Sequence, residues 1–116
     1  MKKLLAMLLA LALCFALGAC SKTDDKKADD KGAASKLKIG VILVHDENTG
    51  YDLAHINGIK KAAANTGIKE DQIIWKYSIS EDENCFDAAT DLVEQGCSYI
   101  ISDSYGHQSY MQQAAE

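Results

Sequence analysis

The chain has 116 residues, a formal net charge of −5 and no arginine. Without arginine, the planar two-point recognition of a carboxylate or a phosphate is excluded. From residue 37 onward, five lysines stand against thirteen acidic residues, a net charge of −8. This excess argues against a nucleic-acid polymer as a partner, because neutralising phosphates requires clustered cations.

The first residues have the pattern of an export signal. Two lysines at positions 2 and 3 precede an uncharged apolar run over residues 4–17. The run is shorter than the roughly 20 apolar residues of a membrane-spanning helix, and it suits a signal peptide. It ends in Leu17-Gly18-Ala19-Cys20, which resembles the lipobox of bacterial lipoproteins. We therefore predict a signal peptide over residues 1–19, lipid on Cys20, and anchoring in the cell membrane on the extracytoplasmic side.

Residues 20–36 are predicted to form a lipidated, flexible tether. Residues 21–36 contain no large apolar side chain, so nothing offsets the entropy cost of ordering them. Fully extended, this stretch reaches on the order of 50 Å. That length holds a folded domain clear of the lipid head groups.

The folded part is predicted to begin near residue 37. Residues 37–44 are almost continuously apolar, which is typical of a parallel strand covered on both faces. A first helix is predicted over residues 51–65, ended by the glycine of Thr66-Gly67. Its apolar stripe consists of Leu53, Ile56, Ile59 and Ala63.

The second strand and second helix follow. Residues 72–80 alternate between apolar and polar side chains, which favours an edge strand. Ser80-Glu81-Asp82-Glu83 has the form of a capping box that starts a helix ending at Gly96. The predicted apolar positions are Ile73, Trp75, Tyr77 and Ile79 in the strand and Phe86, Ala89 and Val93 in the helix.

Cys85 and Cys97 flank this second helix. Twelve residues of helix separate two positions by about 18 Å, whereas the Cα atoms of a disulfide lie within about 7 Å. We therefore expect two free thiols.

A third strand over residues 98–102 and a turn at Tyr105-Gly106 lead into a third helix. The alternation of strands and helices predicts an α/β fold of three layers with a parallel sheet. A buried first strand and an amphipathic second strand favour the strand order 2-1-3. Between strands 1 and 3 the winding reverses, and a crevice opens at their carboxyl ends. The loops 45–50 and 103–107 line it, and the predicted ligand-binding residues are His45, Asp46, Asn48, Tyr51, Asp103, Ser104 and Tyr105.

Each of these residues also has a structural interpretation. The tyrosines stack on a planar ligand or pack at the surface. The aspartates and Asn48 hydrogen-bond a ligand or cap turns and helices, and Ser104 is equally suited to cap the third helix. His55 on the first helix is interpreted as packed or hydrogen-bonded.

Metal and enzyme chemistry are less favoured. His45 and His107 with Asp46 or Asp103 would make a metal site, but the spacings match no known ligand signature. Ser104 lies near His107 without a Gly-x-Ser-x-Gly elbow around it. We expect no enzyme activity, no cofactor and no metal, and a hydrolase is the weakest alternative.

Three stretches resemble the basic membrane protein (BMP) family of ABC-transporter substrate-binding lipoproteins, whose lobes have the type I periplasmic-binding-protein fold. They are Lys38-Ile39-Gly40-Val41-Ile42, residues 50–58 with their Gly-aromatic-x-x-Ala-His-x-x-Gly pattern, and Asp103-Ser104-Tyr105-Gly106. The resemblance implies capture of purine nucleosides or related neutral solutes and delivery to an ABC permease. It puts Tyr51 where one branch has a base-stacking Trp, and His45 where that branch often has Pro.

Members of this family close two lobes around the solute, which takes about 250 residues or more. We therefore expect residues 37–116 to be the first part of the N-terminal lobe and the chain to be incomplete. Two other functions remain open. One is sugar binding, and the other is ligand sensing by a lipoprotein that is not coupled to transport.

Overall fold

The computed structural model describes residue 34 and residues 36–116. The predicted signal peptide, Cys20 and nearly all of the predicted tether lie outside the described residues. Within residues 36–116, no helix is both long enough and apolar enough to cross a membrane. The elements are β1 (Ile39–Ile42), α1 (Gly50–Thr66), a 3-10 turn (Glu70–Gln72), β2 (Ile73–Lys76), α2 (Glu83–Glu94), β3 (Tyr99–Ser102), a second 3-10 turn (Tyr105–His107) and α3 (Gln108–Ala115).

The three strands form one parallel sheet in the order β2-β1-β3. This confirms the predicted α/β class and the predicted strand order. Ile42, the last residue of β1, is aligned with Lys76 of β2 and Ser102 of β3. All three strands therefore end at the same edge, and the loops that follow them meet there.

Helices cover both faces of the sheet, which makes three layers and explains why every residue of β1 is buried. The α1 helix packs on one face, and α2 packs on the other with part of α3 against it. The buried residues of the α1 side are Ile39, Val41, Leu43, Ile56, Ala63 and Ile73. Those of the α2 side are Ile42, Cys85, Ala88, Ala89, Leu92 and Cys97.

The predicted apolar stripe of α2 is confirmed at Ala89, which is buried, but wrong at its other two positions. Phe86 and Val93 are 37% and 53% exposed, whereas Leu92 is fully buried. The rotation of α2 is explained by its packing on β1. A Cβ atom on Gly40 of β1 would be only 2.7 Å from Leu92 Cδ1, so α2 is turned to place Leu92 directly on this glycine.

The stripe of α1 is also wrong at its first position. Leu53 is 41% exposed, and the preceding Asp52 is fully buried in its place, in line with Ile56 and Ala63. The end of the helix is as predicted. Gly67 adopts φ 80°, in the left-handed region that glycine enters without strain, and its N–H donates to the Ala63 carbonyl.

The predicted capping box at Ser80 is wrong. The N-cap of α2 is Asp82, whose side chain accepts the Asn84 N–H at 2.9 Å, while the Ser80 hydroxyl donates to Asp82. The second strand is also shorter than predicted and ends at Lys76. Ser78 follows it at φ 55°, which interrupts the alternation, so Ile79 packs on the α2 side instead of the α1 side.

Cys85 and Cys97 are free thiols, as predicted. Both belong to the buried cluster on the α2 side, where burial raises the pKa of each thiol. Raised pKa values keep both groups as thiols, which are poor nucleophiles.

Candidate functional site

The candidate site lies where β1 and β3 end, and backbone bonds extend the pairing one step further. The Asp103 N–H donates to the Ile42 carbonyl at 3.2 Å. In return, the Val44 N–H donates to Asp103 Oδ1 at 3.1 Å. The start of the β1–α1 loop is therefore attached to the first residue after β3.

The β1–α1 loop folds back through a turn at Asp46. Its Oδ1 accepts the Asn48 N–H at 2.9 Å, and its carbonyl accepts the Thr49 N–H at 3.2 Å. The Asp46 carboxylate thus stabilises the turn, which matches the structural interpretation of this residue. The side chains of His45 and Asn48 are exposed at the loop surface.

Asp52, in the first turn of α1, holds this loop from below. It accepts the His45 N–H at 2.9 Å and also the Thr49 hydroxyl, while His45 Nδ1 lies 3.5 Å from its second oxygen. Burial acts to raise the pKa of Asp52. The hydrogen bonds from Thr49, His45 and the Asp103 carboxyl, together with the charge of His45, outweigh burial and hold this pKa below its usual value.

The pKa of Asp103 is shifted in the opposite direction to that of Asp52. It is 9% exposed, and among the described residues its Oδ2 is a buried oxygen with no hydrogen-bond partner. Burial raises the pKa of Asp103, and the nearby charge of Asp52 adds to this, although the Val44 N–H and His55 act in the other direction. The two aspartates on the crevice floor therefore have pKa values shifted apart.

Tyr51 bridges α1 and the loop after β3. Its hydroxyl donates to the Asp103 carbonyl at 2.5 Å, and its ring lies 4.6 Å from the His55 ring, tilted by 54°. His55 Nδ1 is 3.0 Å from the Tyr51 carbonyl, in keeping with the hydrogen-bonded interpretation of this histidine. Tyr51 is nevertheless 55% exposed to solvent.

The β3–α3 loop is capped by Ser104. Its hydroxyl oxygen accepts the Gly106 N–H at 3.3 Å and its hydroxyl donates to Glu81, so the capping interpretation applies, although to the 3-10 turn and not to α3 itself. Tyr105 is 89% exposed. Beside it lies an open groove of about 460 Å³, lined by Ser102, Asp103, Ser104, Tyr105, Gln108 and Met111.

His107 is a further residue that positions these loops and that was not among the predicted ligand-binding residues. It is fully buried, with Nε2 3.0 Å from the Ile79 carbonyl and Nδ1 2.6 Å from the Ser102 hydroxyl. A carbonyl only accepts, so Nε2 carries a proton, and in the neutral ring Nδ1 accepts from Ser102. His107 thereby attaches the loop after β2 to the end of β3.

Two signals in the sequence pointed to the residues that were missed. Asp52 is in helical phase with Ile56 and Ala63, so it lies on the buried face of α1. His107 directly follows Gly106 in the 3-10 turn after β3. In the part of the chain that the structure describes, no group of three or more His, Cys, Asp or Glu residues is arranged to hold a metal ion.

Comparisons with protein-family models, with curated proteins and with solved structures return no match to this chain.

Proposed function

We propose that this chain acts as a substrate-binding lipoprotein of an ABC importer and captures purine nucleosides or related neutral, planar solutes. The observation that carries the proposal is the exposure of two tyrosines where β1 and β3 end, one in the first turn of α1 and one in the loop after β3. Tyr51 is 55% exposed and Tyr105 is 89% exposed, and a groove of about 460 Å³ lies beside Tyr105. Exposed aromatic faces are the groups on which bases stack.

The polar groups of the crevice support a neutral solute. The Asp103 carboxyl accepts the Val44 N–H, so it positions the loop after β1. The exposed amides of Asn48 and Gln108 remain to bond ring nitrogens or hydroxyls. With no arginine and a net formal charge of −5, the chain disfavours anionic solutes.

Export and membrane anchoring rest on the lipobox at Cys20, and delivery to an ABC permease rests on the resemblance to the BMP family. If Cys20 carries the lipid, replacing it removes the attachment point. We expect Cys20→Ala to abolish labelling of the protein by radioactive palmitate and to leave the unprocessed precursor in cells. Unchanged labelling of the variant would contradict the lipoprotein assignment, and Cys14→Ala is the control because that cysteine lies within the predicted signal peptide.

The solute is tested by calorimetric titration of the full chain, purified in detergent, with inosine, guanosine, adenosine and a set of free pentoses. We expect heat of binding from at least one nucleoside and none from the pentoses. Heat from a pentose alone would replace the nucleoside proposal with the sugar-binding alternative, and no heat from any of them would overturn both.

The stacking role is tested by truncation. Losing one aromatic–base stack costs about 1–3 kcal/mol, so Tyr51→Ala should weaken binding by about 5- to 150-fold. Tyr99→Ala is the matched control. Tyr99 is 59% exposed but begins β3, at the opposite edge of the sheet from the crevice. Equal losses in the two variants would show that the effect is not one of stacking in the crevice.

A further inference from the structure

Two carboxyl groups lie side by side beneath the crevice loops. Asp52 is fully buried and Asp103 is 9% exposed, and Oδ2 of Asp103 is buried without a hydrogen-bond partner among the described residues. They accept the N–H groups of two consecutive residues, Val44 for Asp103 and His45 for Asp52. The pair thus lies at the point where the β1–α1 loop meets the segment after β3.

A carboxylate offers only acceptors, so two ionised carboxylates in contact repel each other and leave oxygens without donors. The donors near this pair are already engaged. The His45 N–H and the Thr49 hydroxyl bond Asp52, and the Val44 N–H bonds Asp103 Oδ1. Asp103 Oδ2 is the buried oxygen left without a partner among the described residues. A proton on this oxygen converts it into the donor that the contact requires.

We propose that Asp52 and Asp103 share a single proton, held on Oδ2 of Asp103, and that this proton joins the two loops that wall the crevice. The assignment to Asp103 follows from the unequal supply of donors. Asp52 receives a backbone N–H, a hydroxyl and the nearby His45 ring, whereas Asp103 receives one backbone N–H. The carboxyl that accepts more hydrogen bonds is the one that ionises.

The pair makes the attachment of the loops sensitive to pH in both directions. The raised pKa of Asp103 gives a stabilisation that is present at low pH and lost as the pH rises through that value. The lowered pKa of Asp52 gives a stabilisation that is present above the ordinary aspartate pKa. This stabilisation is lost as the pH falls through the lowered pKa of Asp52. The shared proton therefore persists between the two pKa values.

Three other ionisable groups face the pair. His45 lies 3.5 Å from Asp52, His55 on α1 acts on Asp103 through its charge, and the Tyr51 hydroxyl donates to the Asp103 carbonyl. A positive charge on either histidine favours the ionised carboxyls, so it opposes the shared proton. If the crevice binds the solute as proposed above, affinity should fall on both sides of the interval in which the proton is shared.

The test is a carboxyl-carbon NMR titration of the full chain without any solute, so that its outcome does not depend on the proposed function. We expect Asp103 to titrate above the ordinary aspartate value of about 3.9 and Asp52 to titrate below it. In Asp52→Asn, the midpoint of Asp103 should fall, because the neighbouring charge is gone. Asp71→Asn removes an exposed carboxyl from the turn before β2 and should leave both midpoints unchanged.

A second variant keeps the proposal testable if Asp52→Asn does not fold. Asp103→Asn retains the acceptor for the Val44 N–H and supplies an N–H in place of the shared proton. We expect it to fold, to keep the low titration of Asp52, and to abolish the loss of stability at high pH. Two results would each overturn the proposal. One is an Asp103 midpoint at or below the ordinary value, and the other is Asp103→Asn being less stable than the wild type across the whole pH range.

Discussion

The loops after β1 and β2 are both attached to the segment that follows β3, but by different chemistry. The loop after β1 is attached through two buried carboxyls, Asp52 and Asp103, to backbone N–H groups. The loop after β2 is attached through the buried ring of His107, which bonds the Ile79 carbonyl and the Ser102 hydroxyl. One attachment is made by acidic carboxyls, and the other is made by an imidazole ring.

This difference follows the position of the two loops in the sheet. The loop after β1 lies at the switch point between the central strand and β3, where ligands bind in sheets of this topology. The loop after β2 lies at the outer strand. Ile79 packs there against the apolar cluster on the α2 side, so apolar contacts stabilise it as well.

The largest expected loss of stability comes from removing the His107 ring, which attaches the loop after β2 to the end of β3. His107→Ala removes a fully buried ring and two hydrogen bonds and leaves the Ile79 carbonyl without its donor. We expect the free energy of unfolding to fall by about 3 kcal/mol, measured by urea denaturation. His55→Ala is the control, with an expected loss of about 1 kcal/mol or less, since His55 bonds only the carbonyl of Tyr51 in its own helix. Equal losses would contradict the bridging role of His107.

A smaller loss of stability should follow from removing one hydrogen bond beside the Asp52–Asp103 pair. Tyr51→Phe removes the hydroxyl that donates to the Asp103 carbonyl but keeps the ring. We expect a loss of stability of about 1 kcal/mol and a solute affinity within a few-fold of the wild type, because stacking uses the ring face. Tyr99→Phe is the matched control, since the Tyr99 hydroxyl makes no hydrogen bond within the part of the chain that the structure describes. A loss of affinity as large as that of Tyr51→Ala would mean that the hydroxyl, not the ring, contacts the solute.

The smallest effect concerns the second link between the loops after β2 and β3. A Cβ atom on Gly106 would lie 2.4 Å from Glu81 Cδ, so Gly106→Ala displaces the Glu81 carboxylate from Ser104 while His107 keeps its bonds. Because Glu81 is exposed and flexible, we expect a loss of about 0.5 kcal/mol. Gly58→Ala is the control. Gly58 lies within α1 with open space around it, so alanine should stabilise by about 0.5–1 kcal/mol. The same gain at Gly106 would show that the Glu81 contact contributes nothing.

Local chemistry made much of the fold predictable from the sequence. The continuous apolar run of β1 indicates a strand covered on both faces, and the glycine at position 67 marks the end of α1. The alternating second segment indicates an edge strand, and together these observations are sufficient for the order 2-1-3. The crevice and its two loops follow from that order alone.

The details that were mispredicted depend on contacts between distant residues. The rotation of α2 is set by Leu92 packing on Gly40, which no pattern within the helix reveals. The burial of Asp52 depends on donors in the loop before it, and the burial of His107 depends on the Ile79 carbonyl. A polar residue is buried only where its partners converge, and such convergence is a property of the folded chain.

The most direct test of solute capture between β1 and β3 is hydrogen exchange of the full chain with and without saturating inosine, read by mass spectrometry. Binding in the crevice should slow exchange in residues 45–50 and 103–107, the two loops joined by the carboxyl pair. Residues 77–82, in the loop held by His107, should exchange at the same rate in both samples. Slower exchange confined to residues 77–82, or no change anywhere with inosine or any other nucleoside, would contradict the account.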